Sequence, residues 1–345
     1  MIKKPVLAGL SLEGLAELLG SYPSFRSRQI YHWICRGASS FDEMSDLPMA
    51  LRRDLAENYR VFSGTVVSEQ RDRDKTIKLG ISLDDSAVIE AVILRDGGNR
   101  KTACLSTQAG CPMGCVFCKT GMLGFRRNLL YHEIAEQFLR LRQIDTGISH
   151  LVIMGMGEPL LNLGELRKAL DYFMDSRGLN ISKRRLTLST CGIEKGILDL
   201  AEQGPDIRLA LSLTSARQAL REKLMPAGRE NTLPRLKDAL LLYQKKADRR
   251  ITLEIVLLGG INTGPDEAAA IAEFAQGLRT VVNLIPWNPV EKKEFEGQPL
   301  RPPTRNETAE FAAALEKHGL KVTLRTGKGM GISAACGQLG VVKKE

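Results

Sequence analysis

The chain has 345 residues, of which 43% are hydrophobic, and a formal net charge of +9. This length and composition can bury a sizeable core, so they argue against a disordered chain and predict one large domain with appendages, or two domains. The excess of Lys and Arg is compatible with a polyanionic partner, but a solvated basic surface explains it as well.

The N-terminal region, residues 1–62, predicts a small helical module. Apolar residues recur at helical spacing from residue 9 to about 60, as in LEGLAELLG and FRSRQIYHWICRG. The first residues lack the apolar run and cleavage site of a signal peptide, and no stretch approaches the ~18 apolar residues of a membrane span. We therefore expect a cytoplasmic protein with no membrane partner.

Residues 63–100 predict a β-hairpin that links this module to the rest. Four apolar residues from Ile77 to Leu83 alternate with polar or small residues, and the DDS run that follows supplies a turn. A second apolar run, AVIEAVIL, then predicts the returning strand.

Residues 101–330 predict strands that alternate with helices. Short apolar runs such as HLVIM, RLTLST and ITLEIVLL alternate with amphipathic segments such as LRKALDYFM. This spacing favours βα units around a parallel sheet, either a full or partial barrel or a doubly wound sheet. Ligands bind at the carboxyl ends of such strands. The motifs GMGEP, TCGI, TSA and NPV each follow a predicted strand, so the sequence predicts one rim that carries a ligand site.

Cys111, Cys115 and Cys118 form a C-x3-C-x2-C cluster after the first of these strands. Three thiolates from one loop can bind three irons of a four-iron cluster and leave the fourth iron open to a small molecule. A structural zinc site is the rival, but it needs a fourth Cys or His, and no paired C-x2-C or H-x3-H follows. An odd, clustered number of cysteines also favours metal or redox chemistry over a disulfide framework.

Other strand-end residues are candidates for binding a ligand at the open iron. Gly157 in GMGEP lets bare backbone approach a ligand, and Glu158 follows it. The remaining candidates share a position at a predicted strand end: Ser189, Ser212, Leu213, Thr214 and Asn288. Taken singly, each is also explained as an ordinary turn residue.

The run CLSTQAGCPMGCVFCKTG, together with QIYHWI, FDEMSDLP, GMGEPLLN, LIPWNP and AACGQL, closely resembles the RlmN and Cfr family of radical S-adenosylmethionine (SAM) RNA methyltransferases. The similarity runs from about residue 10 to 340. It implies an α/β fold with a partial (β/α)6-type radical SAM barrel and a C-terminal tail, residues 331–345. It also implies a [4Fe-4S] cluster on the three cysteines and two SAM molecules per turnover, bound by the strand-end residues. At Thr214 the chain departs from the His that the family carries.

The resemblance implies roles for two further cysteines and one carboxylate. Cys336 accepts a methyl group from one SAM, and the radical from the second SAM lets that carbon bond to adenine. Glu90 accepts the proton from the adenine carbon. Cys104 then attacks the sulfur of Cys336, so that a disulfide forms and the methylated base leaves. From local sequence alone, Cys336 is also explained as a small apolar residue in a tail, and Glu90 as a residue on the solvent face of the hairpin.

The resemblance also implies the partners. RlmN-type members methylate carbon 2 of an adenosine in 23S rRNA and in some tRNAs, and Cfr-type members methylate carbon 8 of the rRNA adenosine. QIYHWI, FDEMSDLP and AACGQL favour the RlmN type. We expect a monomer that receives electrons from a donor such as flavodoxin. The N-terminal helices, the hairpin and the Arg126–Arg127 pair are candidates for contacting the RNA backbone. The alternatives are a radical SAM enzyme of other specificity and a non-enzymatic iron–sulfur or zinc module that binds RNA.

Overall fold

The computed structural model describes residues 4–95, 100–290, 294–325 and 327–340. Its N-terminal part contains three helices: α1 (Leu12–Leu18), α2 (Ser24–Arg36) and α3 (Met49–Asn58). Apolar side chains at helical spacing, such as Leu15, Ile30 and Leu55, are buried. The predicted helices of this region are therefore confirmed.

Three antiparallel strands follow: β1 (Thr65–Arg71), β2 (Ile77–Ser82) and β3 (Val88–Arg95). β2 and β3 pair with Leu79 opposite Ala91, which confirms the predicted hairpin. β1 was not predicted. All seven of its residues are exposed at the edge of the sheet, so burial imposes no alternation of apolar and polar residues on its sequence.

The remainder alternates strands and helices. Its strands are β4 (Lys101–Leu105), β5 (Gln108–Gly110), β6 (Phe125–Asn128), β7 (His150–Ile153), β8 (Leu186–Thr190), β9 (Arg208–Ser212), β10 (Ile251–Leu257), β11 (Thr280–Pro286), β12 (Glu294–Phe295), β13 (Gln298–Pro299) and β14 (Val322–Leu324). Its helices are α4 (Lys119–Met122), α5 (Tyr131–Ile144), α6 (Leu163–Met174), α7 (Glu194–Gln203), α8 (Gln218–Leu224), α9 (Leu233–Ala247), α10 (Pro265–Ala275) and α11 (Arg305–Lys317).

Ten strands form one sheet in the order β1-β2-β3-β4-β7-β8-β9-β10-β11-β14. The pairs from β1 to β4 are antiparallel, and those from β4 to β14 are parallel. Side chains from β7, β9, β11 and β14 line one cavity, so the parallel part of the sheet curves around it. This is the expected α/β partial barrel, with β14 as a parallel strand beyond the six of a (β/α)6 core.

The C-terminal segment returns to the start of the barrel. The N–H of Lys119 donates to the carbonyl of Gly337 (2.7 Å), and the hydroxyl of Thr120 donates to the carbonyl of Leu339 (2.7 Å). These bonds place the segment beside the loop that carries the clustered cysteines. In the described part of the chain, no helix has the length and apolarity needed to cross a membrane.

Candidate functional site

The three clustered cysteines line one cavity at the carboxyl end of the parallel strands. The cavity holds about 930 Å³ of empty space and opens to solvent. Burial raises the pKa of these thiols, to about 12 for Cys111 and well above its usual value for Cys115, and neighbouring thiols raise it further. Three such thiols do not ionise together unless a positively charged group offsets their charge.

This set of donors fits a polynuclear iron–sulfur cluster. Within residues 4–340, apart from the short gaps in the description, no three His, Cys, Asp or Glu side chains converge on the position of one metal ion. A closed zinc site needs that convergence, whereas a four-iron cluster binds each thiolate at a different iron. Cys111, Cys115 and Cys118 would hold three irons and leave the fourth without a protein ligand.

Two glycines let the loops of this rim approach each other. Gly110 has φ +79°, and a Cβ there would lie 2.0 Å from the carbonyl oxygen of Gly124. Gly157 has φ +103°, and a Cβ there would lie 2.6 Å from the side chain of Gln108. Larger residues rarely adopt this backbone conformation. Gly157 lines the cavity, as expected for a residue whose backbone is to meet a ligand.

Glu158 joins the ends of β7 and β8. Its carboxylate accepts hydrogen bonds from the hydroxyl of Thr190 (2.6 Å) and the N–H of Cys191 (2.8 Å). The side chain is 3% exposed, and burial raises its pKa. Because both oxygens already accept hydrogen bonds, Glu158 shapes the cavity wall that it lines.

Ser189 and Ser212 lie side by side at the ends of β8 and β9, with their hydroxyl oxygens 3.3 Å apart. Ser189 also donates to Oε2 of Glu254 (2.7 Å). Glu254 lies on β10, is 5% exposed and lines the same cavity. Its carboxylate can accept hydrogen bonds from ribose hydroxyls or an ammonium group. Glu254 was not predicted as a site residue, although a carboxylate within the apolar run ITLEIVLL is a signal that could have identified it.

Leu213 and Thr214 belong to the loop after β9 and are fully buried. Neither is among the described residues that line the cavity. Thr214 has φ +56°, and its carbonyl accepts a hydrogen bond from Asn262 (2.8 Å). The two residues therefore support the loop from behind, and direct contact of either with SAM stays a prediction.

Cys104 and Cys336 line a second cavity, which shares Cys118 and Asn288 with the first. Both thiols are free. Cys104 lies on β4 and is 8% exposed, and burial, followed by the nearby thiol of Cys336, raises its pKa to about 12. Asn288 donates to the carbonyl of Cys336 (3.1 Å). The fold thus brings two cysteines that are far apart in the chain to the edge of the clustered cysteines.

A buried ion pair holds the tail that carries Cys336. Lys78 lies 2.9 Å from Oε1 of Glu90 and donates to the carbonyl of Ser333 (3.2 Å). Oε2 of Glu90 accepts a hydrogen bond from the N–H of Gly340 (2.6 Å). The Lys78–Glu90 pair therefore contacts the tail on both sides of Cys336.

The alternative interpretation of Glu90 as a residue on a solvent face is wrong, because Glu90 is 2% exposed. It is not among the described residues that line either cysteine cavity. Its carboxylate is engaged by Lys78 and Gly340. Its role as a proton acceptor therefore stays a prediction.

Known proteins are similar to this chain over nearly its whole length. Residues 105–275 match the model of the radical SAM superfamily, and residues 7–61 match that of the ribosomal RNA large subunit methyltransferase N-terminal domain. The chain is 46% identical to a probable dual-specificity RNA methyltransferase RlmN of Treponema denticola, over 98% of this chain and 96% of the relative. It is 40% identical to a dual-specificity RNA methyltransferase RlmN of Lawsonia intracellularis, over 92% of this chain and 90% of the relative.

A solved structure is similar over nearly the same length. A radical SAM methyltransferase from Sphaerobacter thermophilus superposes with a TM-score of 0.91 at 36% identity, covering 97% of this chain and 99% of that chain. Both the N-terminal helices and the barrel therefore have counterparts in one solved protein.

Replacing Lys78 with Met should loosen the tail and raise the alkylation rate of Cys336. Loss of one partner of a buried pair leaves Glu90 uncompensated, which costs about 3–5 kcal/mol of unfolding free energy. The measurement is iodoacetamide labelling of the folded full chain, read by mass spectrometry.

In the same assay, Cys104 of the wild-type chain should label slowly. Its labelling rate should rise about tenfold per pH unit below pH 12, because the thiolate is the reactive form.

Lys101→Met is the matched control for Lys78→Met. Lys101 pairs with Asp145 at 2.7 Å, but its side chain is 28% exposed and it contacts no described part of the tail. We expect unchanged labelling of Cys336 in this variant. Equal labelling of Cys336 in wild type and in folded Lys78→Met would contradict the role of the ion pair.

Proposed function

The chain belongs to the RlmN family of radical SAM RNA methyltransferases, and on that premise we propose that it methylates carbon 2 of an adenosine in 23S ribosomal RNA and in transfer RNA. One observation carries the proposal: Cys104 and Cys336 share a cavity that adjoins the three clustered cysteines. A radical SAM enzyme of other specificity does not require this pair, and neither does a module that only binds RNA. The pair therefore favours methyl transfer through a protein thiol.

The substrate carbon explains why a protein thiol is needed. Carbon 2 of adenine is not nucleophilic, so it does not take an electrophilic methyl group directly. When bound, the cluster and two SAM molecules would supply a methyl group, a radical that abstracts hydrogen, and an acceptor for the one electron that must leave once the new carbon–carbon bond has formed. Cys336 accepts the methyl group as a thiolate, by displacement. After the loss of one hydrogen, the carbon on its sulfur bonds to carbon 2 of adenine, and the protein is linked to the RNA.

Release of the base requires the second thiol. The Cys104 thiolate attacks the sulfur of Cys336, and a disulfide replaces the bond from that sulfur to carbon. The electron pair of the broken bond stays on the carbon, which takes up a proton and becomes the new methyl group. Arg325 lines the same cavity and favours the Cys104 thiolate, since it lowers a pKa that burial has raised. Cellular thiols then reduce the disulfide.

Glu90 is our candidate for the base that removes the proton from carbon 2. Its carboxylate is engaged by the N–H of Gly340 and by Lys78. Access to the substrate therefore requires a shift of the tail that also carries Cys336. Release of Glu90 would then be coupled to movement of Cys336, so the base would become available only when the methyl-bearing thiol moves.

The amino ends of the parallel strands form the surface best suited to RNA, here termed the barrel mouth. Seven of the described side chains that line it are Arg or Lys, and one is a carboxylate. Arg185, Arg208 and Arg250 are exposed at the starts of three neighbouring strands, with the hydroxyls of Thr187 and Thr252 close behind them. Guanidinium groups and hydroxyls are the groups that bind RNA phosphates.

The barrel mouth leads to the reactive thiols. Met154, Glu254 and Arg325 line both the mouth and the cavity of the clustered cysteines. A base that enters through the mouth could approach Cys336 while its phosphates stay among the arginines. Unstacking the base costs a few kcal/mol, and less when the RNA is already a loop.

The Arg126–Arg127 pair is less suited to this role than the sequence predicts. Arg127 pairs with Glu133 (2.7 Å) and Asp85 (2.9 Å), and these carboxylates raise its pKa. Arg126 lies 3.4 Å from the same Asp85. The charge of both arginines is therefore largely offset within the protein.

Reversing the charge of the barrel mouth should weaken RNA binding. We expect Arg208→Glu or Arg250→Glu to reduce the affinity for a tRNA transcript, and each lost phosphate contact to lower the slope of log affinity against log salt by about one. Arg305→Glu is the control and should bind as wild type, because Arg305, the first residue of α11, is not among the described residues that line the mouth. Loss of binding in Arg126→Glu together with full binding in both mouth variants would contradict this route.

Trapping the covalent intermediate tests the proposed chemistry. In Cys104→Ala, attack on the sulfur of Cys336 is impossible, so a protein–RNA adduct at Cys336 should accumulate under turnover conditions and appear by mass spectrometry. Cys35→Ala is the control. Cys35 lies on α2 in the N-terminal part, and its buried thiol contacts the hydroxyl of Tyr172 on α6. This variant should therefore turn over without forming an adduct. Methylated RNA without any adduct in Cys104→Ala would refute the mechanism.

A further inference from the structure

A fully buried arginine lies behind the clustered cysteines. Arg221, on α8, is 0% exposed. Its guanidinium donates to backbone carbonyls and to the sulfur of Met225 (3.5 Å), and its Nε has no hydrogen-bond partner. Among the residues that the structure describes, no carboxylate pairs with it. This is unusual, because arginine is almost never fully buried without a paired charge.

The guanidinium bridges the ends of two neighbouring strands. One amino group donates to the carbonyls of Ser212 (3.1 Å) and Leu213, and the other donates to the carbonyl of Cys191. These carbonyls lie at or just after the ends of β9 and β8, where Ser212 and Ser189 line the cavity. Gly192 leaves room for the bridge, since a Cβ there would lie 3.2 Å from Nη2. Arg221 therefore fixes the strand ends that carry the proposed SAM contacts.

Arg221 lies beside the cavity of the clustered cysteines, because its guanidinium contacts Cys191 and Met225, which both line that cavity. Burial lowers the pKa of Arg221, and the thiols of Cys191 and Cys115 act in the opposite direction. The N–H of Val116 donates to the carbonyl of Leu224 (3.1 Å), which holds the loop against α8. A cluster bound by three thiolates carries net negative charge, and reduction adds one more negative charge.

We propose that Arg221 is a positioning residue that serves as the counter-charge of the three clustered cysteines and raises the reduction potential of a cluster bound there. The inference rests on the proposed function, which supplies the cluster. In a buried site of low dielectric, one fixed positive charge favours the more negative, reduced form. It would therefore ease the electron transfer with which each radical step begins.

The test compares reduction potentials of the anaerobically reconstituted full chain, without RNA, by redox titration followed by electron paramagnetic resonance. Arg221→Gln and Arg221→Met remove the charge, and Arg221→Lys keeps it. We expect the potential to shift to more negative values in the Gln and Met variants and to stay near wild type in the Lys variant. Arg167→Met is the control: Arg167 pairs with Asp199 (3.0 Å) away from the cysteine loop, and its loss should leave the potential unchanged.

Equal potentials in wild type and Arg221→Gln would overturn the proposal. So would a Lys variant that shifts as far as the Gln variant, because the effect would then come from lost hydrogen bonds and not from charge. If Arg221→Met does not fold, the comparison of Lys with Gln decides. A wild-type chain that binds no four-iron cluster would instead refute the proposed function, so the two failures are distinguishable.

Discussion

Burial of three thiols in one short loop, which disfavours their ionisation, is the constraint on which this site depends. Burial, followed by neighbouring thiols, raises the pKa of the clustered cysteines, so the three ionise together only beside a positively charged group such as a cluster core. The groups around the loop suit the net negative charge of a cluster bound by three thiolates. A buried guanidinium stands behind the loop, and the described carboxylates that line the cavity, Glu158 and Glu254, already accept hydrogen bonds.

The second requirement is to bring a distant thiol to the same place. The loops that follow parallel strands lie at one rim of the sheet, but Cys336 lies beyond β14, in a tail whose described residues form no strand and no long helix. Its position therefore depends on individual bonds: to Asn288, to the backbone of the cysteine loop, and to the Lys78–Glu90 pair. Such a segment can shift without disturbing the barrel, as the proposed function requires of Cys336.

Much of this arrangement could be predicted from the sequence. The spacing of Cys111, Cys115 and Cys118 and the alternation of strands and helices indicate the rim and its metal chemistry, because both depend on local patterns. β1 could not be predicted, since its exposed side chains follow no periodic pattern. The partners of Glu90 and Arg221 could not be predicted either: they come from segments far away in the chain, and only the packed fold brings them together. Similarly, the sequence shows Arg126 and Arg127 as a basic pair but not the carboxylates that offset them.

We infer that the cysteine loop holds a four-iron cluster with one iron open to SAM. The most direct measurement is iron analysis together with Mössbauer and electron paramagnetic resonance spectra of the anaerobically reconstituted chain, with and without SAM. We expect about four irons per chain and, on adding SAM, a spectral change that is confined to one iron site. Zinc without iron, or a cluster whose spectra do not respond to SAM, would contradict it.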